Sequence, residues 1–137
     1  FKMVSLAIKN NKRFRVSDIE LKRGGVSYTI DTVKCLYKLY NPSEKIYLFI
    51  GADLVPELNL WKNIEELEKL VTFIVYNRDG KTGKENSEDY PYLKFIDSLR
   101  FDVSSTLIRE RLKDKKSISY LVPKEVERYI IKNELYT

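Results

Sequence analysis

Two short apolar runs, Lys45-Ile-Tyr-Leu-Phe-Ile50 and Thr72-Phe-Ile-Val-Tyr76, constrain the fold more than anything else in the chain. Nearly every position in each is apolar, so they read as strands buried on both faces, which is the habit of strands in parallel sheets. Tyr92-Leu-Lys-Phe-Ile96 supplies a third such strand, and Phe14-Arg-Val-Ser-Asp-Ile19 reads as a shorter one. Helical patterns lie between and around them. Met3, Leu6 and Ala7 share one face of a helix over Phe1–Lys9. After the basic turn Lys22-Arg23-Gly24-Gly25, Ile30, Val33, Leu36, Tyr37 and Tyr40 form the stripe of a helix that Ser27 or Thr29 can cap and Asn41-Pro42 stops. A helical region holds Trp61 and Glu65–Leu70. Ser104–Lys113 is a capped helix, and Pro123–Glu134 is another with proline in its first turn. Asn77–Tyr90 is polar, carries two glycines and reads as an exposed loop. Strands alternating with helices predict an α/β architecture built on a parallel sheet with helices on both faces. Ligands of such sheets bind beyond the carboxyl ends of the strands.

What the chain lacks narrows the chemistry. It has 137 residues and no histidine, which excludes Ser-His-Asp and Cys-His catalysis and any imidazole ligand or acid–base group. Its single cysteine, Cys35, excludes an internal disulfide framework and suits a reducing compartment. The longest uncharged apolar stretch, Ile46–Ala52, falls far short of the roughly 20 residues of a membrane span. No basic leader opens the chain, so the expected compartment is the cytoplasm, with no membrane partner. Lys+Arg number 25 against 20 Asp+Glu, a net charge of +5. That excess is mild, and its two basic runs read as solvated faces rather than a nucleic-acid surface. Hydroxyls, carboxylates, Lys, Arg and backbone amides are left to do the work.

Three places concentrate those groups. In Val103-Ser-Ser-Thr-Leu-Ile-Arg109 a helix starting at Ser104 or Ser105 presents free amides and the positive end of its dipole, which favour an anion. Ser105 and Thr106 add hydroxyls, and Arg109 follows one turn later with a planar fork suited to phosphate oxygens. The alternative is a plain N-cap followed by an exposed arginine. Gly51-Ala52-Asp53 ends a strand, where glycine lets a ligand approach and an aspartate can accept the two hydroxyls of a ribose, or merely cap the next helix. Ser27-Tyr28-Thr29 opens a helix with hydroxyls, amides and an aromatic face fit for a small anionic ring, or serves as a cap with a core tyrosine. Trp61, the only tryptophan, lies in a polar stretch and is either a stacking platform or a packed ring.

The order of these motifs is more specific than any one of them. Ser27-Tyr-Thr-Ile-Asp-Thr32, Phe49-Ile-Gly-Ala-Asp53, Leu60-Trp61, Asn77-Arg-Asp-Gly80, Val103-Ser-Ser-Thr-Leu-Ile-Arg109, Tyr120-Leu-Val-Pro123 and Leu135-Tyr136 follow one another in a succession that resembles the bacterial nicotinate-nucleotide adenylyltransferases across almost the whole chain. The Ser-Ser-Thr-x-x-Arg element is shared with other nucleotidylyltransferases, including the phosphopantetheine enzyme. The Ser-Tyr-Thr and Gly-Ala-Asp…Trp elements point to the nicotinate branch.

The resemblance implies a Rossmann-like fold of the adenine nucleotide alpha hydrolase type, with residues 1–100 in the core and 101–137 in a small helical part. It implies adenylyl transfer from ATP to nicotinate mononucleotide, giving deamido-NAD and pyrophosphate. Ser104, Ser105, Thr106 and Arg109 would hold the polyphosphate, with Mg²⁺ bridging it. Gly51 and Asp53 would meet the nucleotide, Asp53 at a ribose. Tyr28, Thr29 and Trp61 would form the nicotinate pocket, the amides and the Thr29 hydroxyl taking the ring carboxylate. Arg78 occupies the family's Arg-Pro-Gly turn and would line the same cleft, although Asp79 stands where the family has proline. The family's first strand, its Gly-Gly-Thr/Ser-Phe-Asp-Pro loop and its His-x-Gly-His helix start have no counterpart in this sequence. The expectation is therefore that the chain is the C-terminal two-thirds of such an enzyme, inactive by itself. No catalytic residue or protein-bound metal is assigned, and there is room for an oligomer. The competing expectations are a different nucleotidylyltransferase and a non-catalytic nucleotide-binding module.

Overall fold

Pairing of the apolar runs sets the sheet. In the computed structural model, which describes residues 1–76, 90–96 and 102–136, β1 (Ile46–Gly51) pairs with β2 (Val71–Tyr76), and β2 with β3 (Leu93–Ile96). Both pairings are parallel. The register brings Gly51 level with Tyr76 and Tyr76 level with Ile96, so the three carboxyl ends share one edge. A parallel neighbour requires a long crossover. Here it is a 3₁₀ helix, Ala52–Leu60, then Trp61 and α4 (Ile64–Leu70).

The central strand behaves as its composition predicts, with Val71, Phe73, Ile74 and Val75 all buried. β1 does not. Ile46, Leu48 and Ile50 turn to the core, whereas Tyr47 and Phe49 are 58% and 62% exposed. The expectation of burial on both faces is thus corrected for β1: it lies at an edge of the described sheet, and none of the described elements covers the face that carries those two rings.

The segment Phe14–Ile19 is a second correction. Residues 14–18 form no regular element, and Ile19 instead opens the short helix α2 (Ile19–Arg23). A strand exists only through its ladder, and no described strand pairs with this segment. Gly24 and Gly25 follow with φ of +68° and +67°, the left-handed region that glycine enters without steric cost. Across that turn the Arg23 guanidinium donates to Thr32 Oγ1 at 2.7 Å, and the Thr32 hydroxyl donates to Glu20 at 2.6 Å, fastening α2 to α3 (Thr29–Tyr40).

Ile30 and Val33 carry the buried stripe of α3, with Leu36 and Tyr37 half-buried, but Tyr40 is exposed because the helix outruns the core there. Asn41 ends the helix in the left-handed conformation (φ 42°), its amide donating to the Tyr37 carbonyl. Tyr37 also donates from its hydroxyl to the Leu70 carbonyl at 2.7 Å, joining α3 to the end of α4. Residues 19–101 form one compact unit. Its core comprises Ile30, Val33, Ile50, Val55, Leu58, Leu67, Val71, Phe73, Val75 and Leu93.

Residues 1–18 and 102–137 form the other unit. Here α1 (Lys2–Ile8), α5 (Ser105–Lys113) and α6 (Lys124–Lys132) surround Ile108, Ile118, Val126 and Ile130. Met3 and Leu6 pack against that core as their spacing predicts, while Ala7 faces solvent. No helix among the described residues is long and apolar enough to cross a membrane.

Candidate functional site

A cleft in the sheet unit lies where the start of α3 meets the segment after the 3₁₀ helix. Ser27, Tyr28 and Thr29 form one wall and Leu60, Trp61 and Lys62 the other, around a volume of about 260 Å³. The three residues named from sequence as the ring pocket, Tyr28, Thr29 and Trp61, therefore come together although Trp61 is more than thirty positions from the other two.

The backbone explains why this helix end is suited to an anion. The capping residue is Tyr28, in an extended conformation (φ −101°, ψ 140°), and no side chain caps the helix. Neither Ser27 nor Thr29 caps α3, contrary to expectation: the helix begins at Thr29, and the position before it is occupied by a phenol ring that cannot reach back to the first-turn amides. The amides of Asp31 and Thr32 donate to the Tyr28 carbonyl. Those of Thr29 and Ile30, at the positive end of a 12-residue helix, are left to an outside acceptor.

Trp61 is both packed and available. One side meets Phe73 edge to face at 6.4 Å, and Phe73 in turn meets Tyr92 at 6.0 Å. Burial, and then the Glu68 carboxylate, raise the Tyr92 phenol above the ordinary tyrosine value. The indole is thus braced by a buried ring, as the packed reading expects, while it also lines the cleft.

Sequence reasoning missed Lys62. Its ammonium lies 4.2 Å from the centre of the Tyr28 ring and 3.1 Å from Asp31 Oδ2. A second pair, Lys34 with Glu66 at 2.8 Å, joins α3 to α4. Exposed ion pairs contribute about 0–1 kcal/mol each, so they align the walls more than they stabilise the fold.

At the carboxyl end of β1, Gly51 and Asp53 are in contact. A Cβ on Gly51 would collide with Oδ1 of Asp53, so the exposed carboxylate folds back over the glycine. Asp53 lies in the first turn of the 3₁₀ helix, where its charge complements the free amides.

The other unit gathers the remaining residues at the start of α5. Ser104 is the N-cap, its hydroxyl oxygen accepting from the Leu107 amide at 3.1 Å. The Arg109 guanidinium donates to Thr106 Oγ1 at 3.3 Å, which draws its fork back over the helix start. Ser104, Ser105 and Arg109 border a largely apolar cleft of about 290 Å³ whose walls include Val103, Ile108 and Tyr136. Arg78 lies outside the described residues.

Comparison with known proteins identifies the family. The chain matches the cytidylyltransferase-like family over residues 1–111. It is 47% identical over 135 residues to a probable nicotinate-nucleotide adenylyltransferase of Bacillus pumilus, covering 98% of this chain and 69% of that protein. The nicotinate-nucleotide adenylyltransferase of Bacillus subtilis is 42% identical over 134 residues, covering 98% of this chain and 68% of its own length. Among solved structures, the nicotinic acid mononucleotide adenylyltransferase of Plasmodium falciparum, complexed with APC, superposes with a TM-score of 0.75 at 23% identity. That match covers 98% of this chain and 73% of the parasite chain. The same enzyme complexed with NaAD also gives 0.75, covering 71% of that chain. The parallel sheet with its helices is therefore the fold of this group, and the chain belongs to the nicotinate-nucleotide adenylyltransferases.

Proposed function

We propose that the enzyme containing this chain joins nicotinate mononucleotide to the adenylyl group of ATP, releasing pyrophosphate and forming deamido-NAD, and that the Tyr28–Thr29–Trp61 cleft of this chain holds the nicotinate ring. One observation carries the assignment of the site. Two distant motifs close around a cleft at an uncapped helix start, which offers an aromatic platform, a hydroxyl and free amides to a flat anionic ring. The indole supplies stacking area, and the Thr29 and Ile30 amides with the Thr29 hydroxyl receive the carboxylate.

The reaction asks little covalent chemistry of the protein. An oxygen of the mononucleotide phosphate attacks the α-phosphorus of ATP. A P–O bond forms there while the bond to the β-phosphate oxygen breaks, and the electron pair leaves with pyrophosphate. Catalysis is then mainly alignment of the two substrates and stabilisation of charge. We assign the alignment at the ATP side to Ser105, Thr106 and Arg109, with Ser104 holding the helix end in shape. Asp53 accepts hydroxyls of a ribose. Magnesium carried by ATP would neutralise charge on the polyphosphate as pyrophosphate departs. The single, half-buried Cys35 suits a reducing cytoplasm as the setting.

Trp61 provides the test, because the chain has no other tryptophan. Nicotinate mononucleotide should change Trp61 emission at lower concentration than nicotinamide mononucleotide does. Equal responses to the two would remove the assignment of the ring pocket. Thr29→Ala should weaken the acid about tenfold, the scale of one hydrogen bond to a charged group, and leave ATP binding unchanged. A loss confined to ATP would exchange the two subsites.

Gly51→Ala tests the nucleotide side more gently than removal of the carboxylate. With φ −73° and ψ 150° the backbone accepts alanine without strain, so the substitution acts by pushing Asp53 aside. ATP affinity should fall about tenfold with the thermal midpoint nearly unchanged, as read by calorimetric titration and a melting curve. Unaltered ATP affinity would remove Asp53 from the site.

A further inference from the structure

We infer that the side chain of Lys62 is the group by which this pocket prefers a carboxylate-bearing ring to the corresponding amide. The inference rests on the ring-pocket reading above and extends it, since that reading needs only the backbone amides and Thr29. Lys62 lines the cleft next to Trp61. Its ammonium is held in place by the Tyr28 ring of the opposite wall at 4.2 Å and by Asp31 Oδ2 at 3.1 Å.

An ammonium has three donors. Asp31 takes one, and the Tyr28 ring face takes at most one more. A donor therefore remains for a ligand in the cleft that Lys62 lines. The partners leave the cation usable: the Lys62 and Asp31 side chains retain 44% and 37% of their exposure, so water still screens the pair and a second carboxylate can share the ammonium. A carboxylate entering the cleft gains a charge-assisted bond, whereas a carboxamide oxygen gains an ordinary one, and the amide's own N–H₂ gains nothing from a cation. Asp31 sets the opposite limit. Its negative charge opposes an acid ligand whenever Lys62 is absent, so removing the lysine removes an attraction and uncovers a repulsion together.

The discriminating experiment titrates Trp61 emission with nicotinate mononucleotide and nicotinamide mononucleotide in the unaltered protein, Lys62→Gln and Lys62→Arg. Lys62→Gln should weaken the acid about tenfold and leave the amide within twofold, so that the acid-to-amide ratio falls about tenfold. Lys62→Arg should restore most of the ratio, because the charge is retained. The affinity for the acid should fall with added salt in the unaltered protein, and fall less steeply in Lys62→Gln. Parallel weakening of both ligands in Lys62→Gln would overturn the inference and reduce Lys62 to a prop for Tyr28. An unchanged ratio would overturn it as well, leaving selection to the helix amides. If neither ligand perturbs Trp61 in the unaltered protein, the ring pocket itself fails and the inference with it. If Thr29→Ala weakens the acid while Lys62→Gln does not, only the role of Lys62 is lost.

Discussion

Phe73→Ala should cost about 3–5 kcal/mol of stability, the usual consequence of emptying a buried phenylalanine site. Phe73 is 1% exposed, lies on the central strand and touches both Trp61 and Tyr92. Domains of this size are stable by about 5–15 kcal/mol, so one substitution removes a large share of the total. Denaturant unfolding followed by Trp61 emission measures it, since the indole leans on the missing ring. Phe73→Leu refills most of the space and should cost less than about 1.5 kcal/mol. It should still weaken nicotinate mononucleotide, because the edge-to-face brace behind the indole is lost. A cost for Phe73→Ala under about 1 kcal/mol would mean that β2 does not anchor the core as described.

The second large effect is expected at the ATP side. Arg109→Ala should weaken ATP by roughly 10- to 100-fold, the range for losing a charged hydrogen-bonding partner of a phosphate. A 3.3 Å hydrogen bond to Thr106 already draws the guanidinium toward the start of α5. Arg109→Lys should recover only part of the loss, because a point charge cannot reproduce the planar fork. Arg109 is exposed and outside the helical core, so neither variant should shift the melting midpoint appreciably. Mononucleotide binding should be unaffected in both. A loss of mononucleotide binding with ATP spared would place Arg109 in the other subsite.

How much of this was legible beforehand follows the range over which each feature is decided. β2, β3 and α5 were readable because a run of Val, Ile and Phe, or a serine before an amphipathic stretch, fixes the local state with little help from elsewhere. Phe14–Ile19 was misread because an extended segment becomes a strand only when a partner supplies the ladder. Tyr47 and Phe49 were misread because an apolar run reports what can be buried, whereas the neighbouring elements decide what is. At the cleft, the aromatic and hydroxyl residues stood out by type. Lys62 did not, since its meaning comes from Tyr28 and Asp31, which are 34 and 31 positions away. No spacing rule spans that distance. The uncapped start of α3 was hidden in the same way: serine and threonine flank Tyr28, and the sequence favours them as caps until the backbone shows where the helix begins.

The division of the chain into its two units also imposes an order on biosynthesis. The sheet unit is one continuous stretch, residues 19–101, and can close as soon as its own residues have left the ribosome. The helical unit draws on both flanks of that stretch, residues 1–18 and 102–137. Met3 and Leu6 of α1 thus emerge early, and the Val126 and Ile130 with which they share a core follow more than a hundred residues later. At translation rates of about 5–20 residues per second, that interval is on the order of ten seconds. Throughout it Met3 and Leu6 lack the α6 side chains that complete their core.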